Sequence, residues 1–369
     1  MQKTDGMNYA PESRGKVHVV CAQGEFSFGV IGLDHGHIYA MCNGLIEAGA
    51  GLKKVYDRDP EKVKQFLERY PQAHCAQSQE EILEDGELKL IASAIRPDQR
   101  PKLGMQAMKR GKDFFVDKPG MLSLDEVEAV RACCEETGRK YMIYFGERVH
   151  VEASVYAEKL IKQGEIGRVV HMTILAPHRL NKSTRPDWFF QKKRNGGIIT
   201  DIGSHQIEQF LYFSGAKSLE VMHSAVANYN NQDKPEFTDF GEASLLADNG
   251  ATCYFRVDWF TPDGLGAWGD GRVFIIGTKG TIELRKYIDV AVSAEGDHVF
   301  LVNQEGEFHY QVTGQTGFVF FGDFILDCLE RTERTMTQEH VLESARTAVT
   351  AQEKARKIPD KNETDFFIS

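Results

Sequence analysis

Short apolar strand patterns alternate with amphipathic helix patterns over residues 26–144, and this alternation restricts the fold more than any other feature of the chain. We predict strands over 26–32, 52–57, 73–76, 88–95, 113–116 and 140–144, separated by helices over 36–48, 60–70, 78–85, 99–110 and 123–137. Strands joined through helices form parallel sheets that are covered on both faces. The alternation therefore predicts one parallel nucleotide-binding sheet in this half of the chain.

The pattern changes after residue 146, where strand-like runs separated by Gly, Asp and Asn predominate. We predict strands over 169–176, 219–228, 240–247, 251–260, 271–276, 281–284, 288–292, 299–302 and 308–312, and helices over 150–163, 198–213, 320–331 and 338–354. The predicted fold class is α/β, with a Rossmann dinucleotide-binding domain over 25–146. A C-terminal α+β domain with a large, mostly antiparallel open sheet follows over 147–369. Residues 1–24 are predicted to form a leader with a short strand at 17–22.

Charge, hydropathy and cysteine usage exclude several classes of protein. The 369 residues include 54 acidic and 44 basic ones, for a formal net charge of −10, whereas a general nucleic-acid binder needs a basic face. No apolar run reaches the length of about 18 residues that predicts a transmembrane helix, and the polar N-terminus lacks the apolar centre of a signal peptide. The seven cysteines are scattered without a C-x-x-C pair. We therefore expect no disulfide framework or structural zinc, and a location in the reducing cytoplasm.

The segment 29–37 lies between the first strand and the first helix, where a dinucleotide fold binds pyrophosphate on the free N–H groups of the helix N-terminus. Counted from Gly32, the G-x-G-x-x-G pattern has Asp34 at its second glycine and His37 at its third, with Gly36 one place early. The Asp34 carboxylate either caps the helix or competes with phosphate for its N-terminus. His35 and His37, if protonated, would offset that charge. The candidate cofactor-binding residues of this loop are Gly32, Leu33, Asp34, His35, Gly36 and His37.

The end of the second strand bears on the choice of cofactor. Asp57 lies 25 residues after Gly32, where an acidic side chain accepts the ribose hydroxyls of NAD and repels the 2′-phosphate of NADP. Arg58 beside it is able to pair with that phosphate instead. Asp57 and Asp59 are also ordinary turn residues before Pro60. The expected cofactor is NAD or NADP, with NAD slightly favoured.

Two further segments contain candidate catalytic residues. Asp117, Lys118 and Pro119 follow the fifth strand, and ligands of open parallel sheets bind beyond the carboxyl ends of the strands. We therefore expect Lys118 to point toward the cleft. The alternative is an ordinary solvated lysine in a turn. A cis bond is accessible before Pro119.

Asp201 and His205 lie four residues apart on a predicted helix and therefore share one face. A carboxylate beside an imidazole suits general acid–base chemistry; a surface ion pair and a core histidine are the alternatives. Gly203 between them is unfavourable in a helix, which close approach of another group would explain. No third ligand is obvious beside this pair, so we expect no metal.

Taken together, these motifs resemble the Gfo/Idh/MocA oxidoreductase family, which includes glucose–fructose oxidoreductase and inositol dehydrogenases. The resemblance covers residue 26 to the C-terminus and rests on GVIGLDHGH, VYDRDPEK, GKDFFVDKPG, EIGRV and NGGIITDIGSH. It implies that Lys118 and His205 flank the reacting carbon, with His205 as proton acceptor, Asp201 as its partner and Lys118 orienting the substrate hydroxyl near the nicotinamide.

The chain departs from the family pattern at several positions. Asp34 replaces the central glycine, and Asp117 stands where Glu-Lys-Pro is common. Residues 95–98 (Ile-Arg-Pro-Asp) stand where Thr-Pro-Asn is frequent, and Pro101 stands where a histidine is frequent. Arg96 is thereby a candidate for contact with a cofactor phosphate or a substrate carboxylate. The second group of candidate cofactor-binding residues is Asp57, Arg58, Arg96, Pro97, Asp117 and Lys118.

The resemblance implies an NAD(P)-dependent dehydrogenase that transfers hydride between nicotinamide and a hydroxyl-bearing carbon of a sugar, cyclitol or related polyol. An NAD-using glycosidase without net redox change and a non-catalytic ligand-binding or regulatory protein are the alternatives. Arg and Trp are able to hold a polyol or carboxylate, although each candidate is equally explained as a surface or subunit contact. The candidate substrate-binding residues are Arg148, His178, Arg185 and Trp188, with His150 and Arg179 beside them. An uncovered sheet face predicts a homodimer or homotetramer through the C-terminal sheet, as the resemblance also implies.

Overall fold

A six-stranded parallel sheet forms the N-terminal half of the protein in the computed structural model, which describes residues 5–14, 16–22 and 24–359. Its strands are β1 (Ser27–Ile31), β2 (Gly51–Tyr56), β3 (His74–Cys75), β4 (Leu90–Ser93), β5 (Asp113–Asp117) and β6 (Tyr141–Tyr144). They lie in the order β3-β2-β1-β4-β5-β6, and all neighbouring pairs are parallel. This order confirms the predicted Rossmann domain. The order reverses between β1 and β4, which is where such folds bind ligands.

The helices of this half follow the predicted order. They are α1 (His37–Glu47), α2 (Pro60–Arg69), α3 (Gln79–Glu84), α4 (Arg100–Lys109) and α5 (Leu124–Thr137). Ser78 caps α3 by accepting a hydrogen bond from the Glu81 N–H at 3.2 Å, as its position before the helix pattern predicts. Every residue of β1, β4, β5 and β6 is buried, because helices cover both faces of the sheet.

The second half contains a nine-stranded, mostly antiparallel sheet, as predicted. Its strands are β7 (Val169–Pro177), β8 (Leu219–Ala227), β9 (Phe240–Ala247), β10 (Thr252–Asp258), β11 (Arg272–Gly277), β12 (Thr281–Arg285), β13 (His298–Asn303), β14 (Gly306–Gln311) and β15 (Arg356–Lys357). The strand order is β14-β13-β12-β11-β7-β10-β9-β8-β15, and the pairs β7–β10 and β8–β15 are parallel. The short final strand has no counterpart in the prediction.

Helices α7 (Glu152–Lys162), α9 (Ser204–Ser214) and α11 (Gln338–Lys354) pack on one face of this sheet. The other helices of this half are α6 (Gly146–Val149), α8 (Lys192–Asn195) and α10 (Val319–Glu330). Burial alternates along β9, where Ala243, Leu245 and Ala247 are buried and the residues between them are partly exposed. This period of two places one apolar face of the sheet against α7, α9 and α11. In the part of the chain that the structure describes, no helix has the length and apolar character needed to span a bilayer.

Three predicted elements differ in the structure. The strand predicted over 288–292 is wrong: Asp289 and Ser293 are joined by backbone hydrogen bonds around a tight turn, in which Ala291 has a φ of +65°. The helix predicted over 150–163 is formed over Glu152–Lys162 and begins two residues later than predicted, because the Val151 backbone is extended. The strand predicted over 17–22 is not formed in the described part of that segment, where Val17 and Val19 are exposed.

Helix α10 packs on the N-terminal sheet although it comes late in the chain. The ring of Phe115 on β5 lies 5.1 Å from the ring of Phe324 and 6.0 Å from that of Phe320. These residues belong to the same buried cluster as the core of the Rossmann half. Because the C-terminal part contributes to the N-terminal core, we expect the two halves to unfold together; the domain bounds over 25–146 and 147–369 stay a prediction.

Phe324→Ala should lower the free energy of unfolding by about 3–5 kcal/mol, because it leaves a cavity where a fully buried ring joins α10 to β5. The measurement is equilibrium denaturation in urea. Phe308→Ala on the partly exposed face of β14 is the matched control and should cost much less. Equal losses in the two variants would show that α10 does not stabilise the Rossmann half.

Candidate active site

Lys118, Asp201 and His205 line one small pocket of about 30 Å³ at the carboxyl edge of the N-terminal sheet. Lys118 follows β5, whereas Asp201 and His205 belong to the helical segment that leads into α9. Lys118 and Asp201 are 83 positions apart in the sequence, and they meet between the two halves of the protein. The roles that the resemblance implies for them stay a prediction.

Arg100 holds the turn that carries Lys118. Its buried guanidinium donates to the carbonyl oxygens of Asp117 and Pro119 at 3.0 and 2.9 Å, and to the Asp117 carboxylate at 3.1 Å. The Lys118–Pro119 bond is cis. The Lys118 ammonium donates to Asp201 Oδ1 at 2.7 Å, and both side chains are at least nine-tenths buried. Lys118 is therefore not a solvated turn lysine.

The backbone around Asp201 forms a π-helical turn over Ile199–Gly203, after which α9 begins. A π turn is wider than an α turn, so residues four apart across it do not stack as they do in an α-helix. Asp201 accordingly pairs with Lys118, and no hydrogen bond joins it to His205 among the residues that the structure describes. The predicted Asp201–His205 pairing is thus replaced by a Lys118–Asp201 ion pair.

Gly203 lies within this turn at a position where a side chain would be crowded. A Cβ on Gly203 would lie 3.1 Å from the Phe255 ring of β10 and 3.1 Å from Ile199 Cγ2. Close approach of another group, which the sequence suggests as the reason for this glycine, is what the structure contains. The glycine lets the segment 199–203 lie against the C-terminal sheet.

His205 is a buried histidine with a free ring nitrogen. Its side chain is 2% exposed, and its Nδ1 atom has no hydrogen-bond partner among the described residues. Burial lowers the pKa of His205 to about 3, against the opposing effect of the Glu147 carboxylate. The ring is therefore neutral near pH 7 and is able to take a proton from a bound hydroxyl.

Glu147 lines the pocket together with His205 and belongs to a buried polar layer that the sequence did not predict. Its carboxylate accepts from Gln206 at 2.9 Å and lies 3.5 Å from the Lys286 ammonium and 3.4 Å from His178. Burial alone would raise the pKa of Glu147, but Lys286 and His205 hold it below its ordinary value. Glu147 follows β6 closely, so the carboxyl-edge rule that identifies Lys118 could have found it.

The phosphate-binding loop differs from the predicted capping arrangement. Asp34 does not cap α1; its carboxylate accepts from the Arg96 backbone N–H at 2.9 Å and from the Lys62 ammonium at 2.6 Å. Gly36 is the N-cap residue of α1 and makes no side-chain cap. Lys62 thus neutralises Asp34 away from the helix N-terminus, where the first N–H group, that of His37, donates to His35 Nδ1 at 3.3 Å. No carboxylate of this loop therefore competes with an anion at the start of α1.

Gly32 and Asp57 shape the same loop. Gly32 has a φ of +89°, and a Cβ there would lie 2.5 Å from Ile95 Cβ, so only glycine fits this crossing between β1 and β4. The Asp57 carboxylate accepts from the N–H groups of Leu33 at 2.6 Å and Asp59 at 2.8 Å. Asp57 therefore fixes the loop through the Leu33 N–H. It lies at the end of β2, where a ribose is bound in this fold.

The predicted cationic contacts of the cofactor are arranged differently. Arg58 is exposed and forms no hydrogen bond or ion pair within the described residues. The Arg96 guanidinium is paired with Asp98, and Pro97 is buried in a short 3₁₀ turn. Arg96 therefore reaches a phosphate only by leaving Asp98.

Asp117 is buried beneath the loop and binds two histidines. Its Oδ1 lies 2.8 Å from His37 Nδ1, and its Oδ2 lies 3.2 Å from His35 Nδ1. Burial alone would raise the pKa of Asp117, but His37, His35 and Arg100 hold it well below its usual range. The ligand atoms of these three residues lie within 4.8 Å of one another; the Arg100 guanidinium 3.1 Å from Asp117 opposes a further cation there.

His37 also contacts the N-terminal segment. Its Nε2 atom lies 3.0 Å from the carbonyl oxygen of Gly6, while its Nδ1 faces Asp117. Both ring nitrogens face oxygen acceptors, so both hydrogen bonds form only when the ring carries two protons. Gly6, Met7 and Tyr9 all line the pocket. No sequence signal in the leader points to this position.

The predicted substrate-binding residues separate into two groups. His178 and Arg185 line the pocket, together with the aromatic rings of Trp259, Trp268 and Tyr287. Arg148 and Trp188 do not. Arg148 is buried against Glu208 at 2.6 Å and stacks on Tyr212, and Trp188 packs on Phe189.

His150 and Arg179 also lie outside the pocket lining. The ring of His150 is hydrogen-bonded to the Tyr144 hydroxyl at 2.7 Å, and Arg179 donates to the carbonyl oxygen of Leu265 at 2.8 Å. Loop position alone does not distinguish such structural residues from pocket residues.

Comparison with known proteins identifies relatives for both halves. Residues 26–145 match the family model described as GFO/IDH/MocA, an oxidoreductase family with an NAD-binding Rossmann fold, and residues 154–283 match the GFO/IDH/MocA C-terminal domain. The crystal structure of a candidate oxidoreductase from Erwinia carotovora atroseptica SCRI1043 is 46% identical, covers 91% of this chain and 100% of its own, and has a TM-score of 0.88.

Curated relatives are more distant. The scyllo-inositol 2-dehydrogenase (NAD(+)) of Bacillus subtilis strain 168 is 27% identical over 273 residues, which are 72% of this chain and 77% of that protein. An uncharacterized oxidoreductase of Synechocystis sp. is 25% identical over 240 residues, which are 62% of this chain and 63% of that protein. The similarity thus spans somewhat less than two thirds of the Synechocystis relative.

Breaking the Lys118–Asp201 pair should destabilise the protein. Asp201→Asn leaves a buried ammonium beside a neutral amide, and we expect a loss of about 3–5 kcal/mol in the free energy of unfolding. Adding Lys118→Met should recover part of that loss, because the unpaired charge is removed; strict additivity of the two losses would contradict the pairing. The exposed pair Lys162–Glu158 is the control, and Lys162→Met should cost less than about 1 kcal/mol.

The stability of the protein should depend on pH through His205. The unfolded ring titrates near 6.5 and the folded ring near 3, so the unfolded chain binds more protons between these values and stability falls as the pH drops. Relative to His205→Asn, the wild-type protein should lose about 1.4 kcal/mol per pH unit from pH 6 to 4. Urea denaturation of both proteins at several pH values measures this difference. A constant difference would mean that His205 is not buried in its neutral form.

Proposed function

Because this chain belongs to the GFO/IDH/MocA oxidoreductase family, we propose that it is an NAD(P)-dependent dehydrogenase that transfers hydride between nicotinamide and a hydroxyl-bearing carbon of a sugar, cyclitol or related polyol. The observation that carries the proposal is the pocket in which Lys118 and His205 converge. Both residues lie at the carboxyl edge of a dinucleotide-binding sheet, where the nicotinamide of such a cofactor is held.

The residues of the phosphate-binding loop fit a dinucleotide. Gly32 permits the close crossing of chains beside the loop, and the Asp34 carboxylate binds the Arg96 N–H instead of the start of α1. Lys62 balances the Asp34 carboxylate, which is the main departure from the usual glycine pattern. The Asp57 carboxylate would accept the ribose hydroxyls and repel a 2′-phosphate, so we favour NAD over NADP, with Arg58 as the side chain that NADP would use. The bound nicotinamide supplies the hydride chemistry.

In the proposed mechanism, His205 and Lys118 act on the substrate hydroxyl. The neutral His205 ring takes the hydroxyl proton as the carbon is oxidised, and the Glu147 carboxylate stabilises the charge that the ring then carries. The Lys118 ammonium, oriented by Asp201, donates a hydrogen bond to the substrate oxygen and stabilises its developing negative charge. Asp201 is therefore a positioning residue for Lys118 and not for His205.

The remaining pocket walls suit a polar ligand with an apolar face. Trp259, Trp268 and Tyr287 offer rings on which a sugar carbon skeleton packs, and His178 and Arg185 offer hydrogen-bond donors. No feature among the described residues favours a glycosidase or a purely regulatory protein over the dehydrogenase.

We also propose that the protein is a homodimer or homotetramer through the outer face of its C-terminal sheet. Ile276 on β11 and Val302 on β13 are 43% and 47% exposed, and both lie opposite Thr281 on β12, so they form one outward patch with Phe274 and Phe300. Apolar residues on an open sheet face favour association. A cytoplasmic location agrees with seven cysteines that are all free thiols.

The experiment that tests the proposed reaction is single-turnover hydride transfer in His205→Asn. We expect the rate to fall by about 10²–10⁴, the usual contribution of a general base, while calorimetric binding of NADH stays unchanged. His309→Asn on the outer strand β14 is the matched control and should keep the wild-type rate. An unchanged rate in His205→Asn would remove this residue from the mechanism. Absence of binding for both NADH and NADPH would contradict the dehydrogenase itself.

A further inference from the structure

We propose that the substrate is a sugar acid and that Arg185 selects it. In the structure, the Asp5 carboxylate of the N-terminal segment occupies the position proposed for the substrate carboxylate. The proposal deepens the dehydrogenase function and rests on it. Its basis is the position of Arg185 in the pocket and the origin of the acid that neutralises it.

The Arg185 guanidinium is buried in the wall of the pocket. Its side chain is 1% exposed, its Nε donates to the Leu180 carbonyl oxygen at 2.8 Å, and the rings of Phe189 and Trp259 lie 4.8 and 5.3 Å from its Cζ. Burial lowers the pKa of Arg185, and Asp5 opposes that effect. A guanidinium fixed between aromatic rings is suited to binding a planar carboxylate.

The acid beside Arg185 comes from outside both domains. Asp5 Oδ2 lies 3.6 Å from the Arg185 guanidinium and 3.0 Å from the Asn181 amide, and Asp5 is fully buried. Asp5 precedes the region that matches the family, which begins at residue 26. The described part of the leader forms no strand of either sheet. The contact with Arg185 is therefore made by a peripheral segment of the chain.

The same segment fills the space that a substrate needs. The Gly6 carbonyl oxygen accepts from His37, and Met7 Sδ lies 3.4 Å from an Arg185 nitrogen. A Cβ on Gly6 would already lie 3.3 Å from the rings of His178 and Trp268, so the segment is packed closely against the pocket wall. Gly6 and Met7 line the pocket together with Lys118, Arg185 and His205, and they leave only about 30 Å³ free there. A sugar-sized ligand that contacts these three side chains must therefore displace residues 5–7.

Displacement has different consequences for Arg185 and for the other cations of the site. Lys118, Lys286 and Arg100 keep their partners Asp201, Glu147 and Asp117, which belong to the two domains. Arg185 loses the Asp5 carboxylate and keeps only the influence of Asp201, whose carboxylate is already paired with Lys118. An unpaired charge in a buried pocket is costly, so the ligand that replaces the segment has to bring a negative charge of its own.

A sugar acid meets this requirement and the proposed chemistry together. Its carboxylate pairs with Arg185 and is unchanged in the reaction. One of its carbinol carbons loses a hydride to the nicotinamide and the hydroxyl proton to His205, leaving a ketone.

The test compares sugar acids with their neutral parents as substrates of the full chain. The probes are D-glucuronate against D-glucose and D-gluconate against D-glucitol, measured as NADH formation and as calorimetric binding to the protein loaded with NADH. We expect the kcat/KM of each acid, or its association constant, to be at least about tenfold higher than that of its neutral parent. Arg185→Gln should abolish that preference by raising KM for the acids, and Arg185→Lys should keep part of it.

Asp5→Asn tests the competing segment in the opposite direction. Removing the carboxylate that occupies Arg185 should lower KM for the acids severalfold with little change in kcat. Glu12→Gln, on an exposed side chain of the same leader that pairs with Arg69, is the matched control and should leave KM unchanged. Acetate should raise the melting temperature of Asp5→Ala more than that of the wild type, because it restores the anion beside Arg185.

The opposite results would overturn the inference. These are equal or tighter binding of the neutral parents, no effect of Arg185→Gln on the acids, or a raised KM in Asp5→Asn. If neutral polyols are oxidised and His205→Asn is inactive, the sugar-acid proposal fails and the dehydrogenase remains. If neither NADH nor NADPH binds, the dehydrogenase fails first.

Discussion

The buried ion pair between Lys118 and Asp201 is the contact on which the arrangement of the site depends. The two side chains come from different halves of the molecule and meet at 2.7 Å in a pocket that excludes most water. Burial of both charges is tolerable only when they are paired, so the pair specifies how the turn after β5 faces the segment before α9. It also directs the Lys118 ammonium into the pocket, where the proposed reaction develops negative charge.

The other charges around the pocket follow the same rule, and the exception is informative. Asp117 is held by Arg100 and two histidines, and Glu147 by Lys286 and Gln206. His205 lies between these layers as a neutral ring, and its Nδ1 has no hydrogen-bond partner among the residues that the structure describes. A proton acceptor needs this neutral form. The paired charges thus set the electrostatic environment of His205, and its ring is available to the substrate in the proposed reaction. Arg185 differs because its acid lies on the leader, and this difference is the source of the sugar-acid inference.

The phosphate-binding loop illustrates how a departure from a motif is compensated. An aspartate at the central glycine position of the motif would repel a diphosphate if its carboxylate faced the helix N-terminus. In this protein the Asp34 carboxylate instead binds the Arg96 backbone N–H and the Lys62 ammonium. The departure from the motif therefore does not by itself argue against a dinucleotide, and the shape of the loop is maintained by Gly32 and Asp57.

The order of the elements, the Rossmann half and the family could be predicted from the residues alone, because hydrophobic periodicity and glycine-rich turns are local properties of the chain. The sequence also pointed to Lys118, Asp201 and His205 through their places after a strand and on a helix. Three features depend on tertiary packing and were not predicted: the partner of Asp201, the burial of Arg148 against Glu208, and the turn at Ala291. Pairing depends on helix phase and on packing between distant segments, and the π turn at 199–203 changes that phase without a sequence signal. For the same reason the position of Asp5 beside Arg185 could not be foreseen: it depends on how a leader without periodicity packs into a cleft formed by two domains.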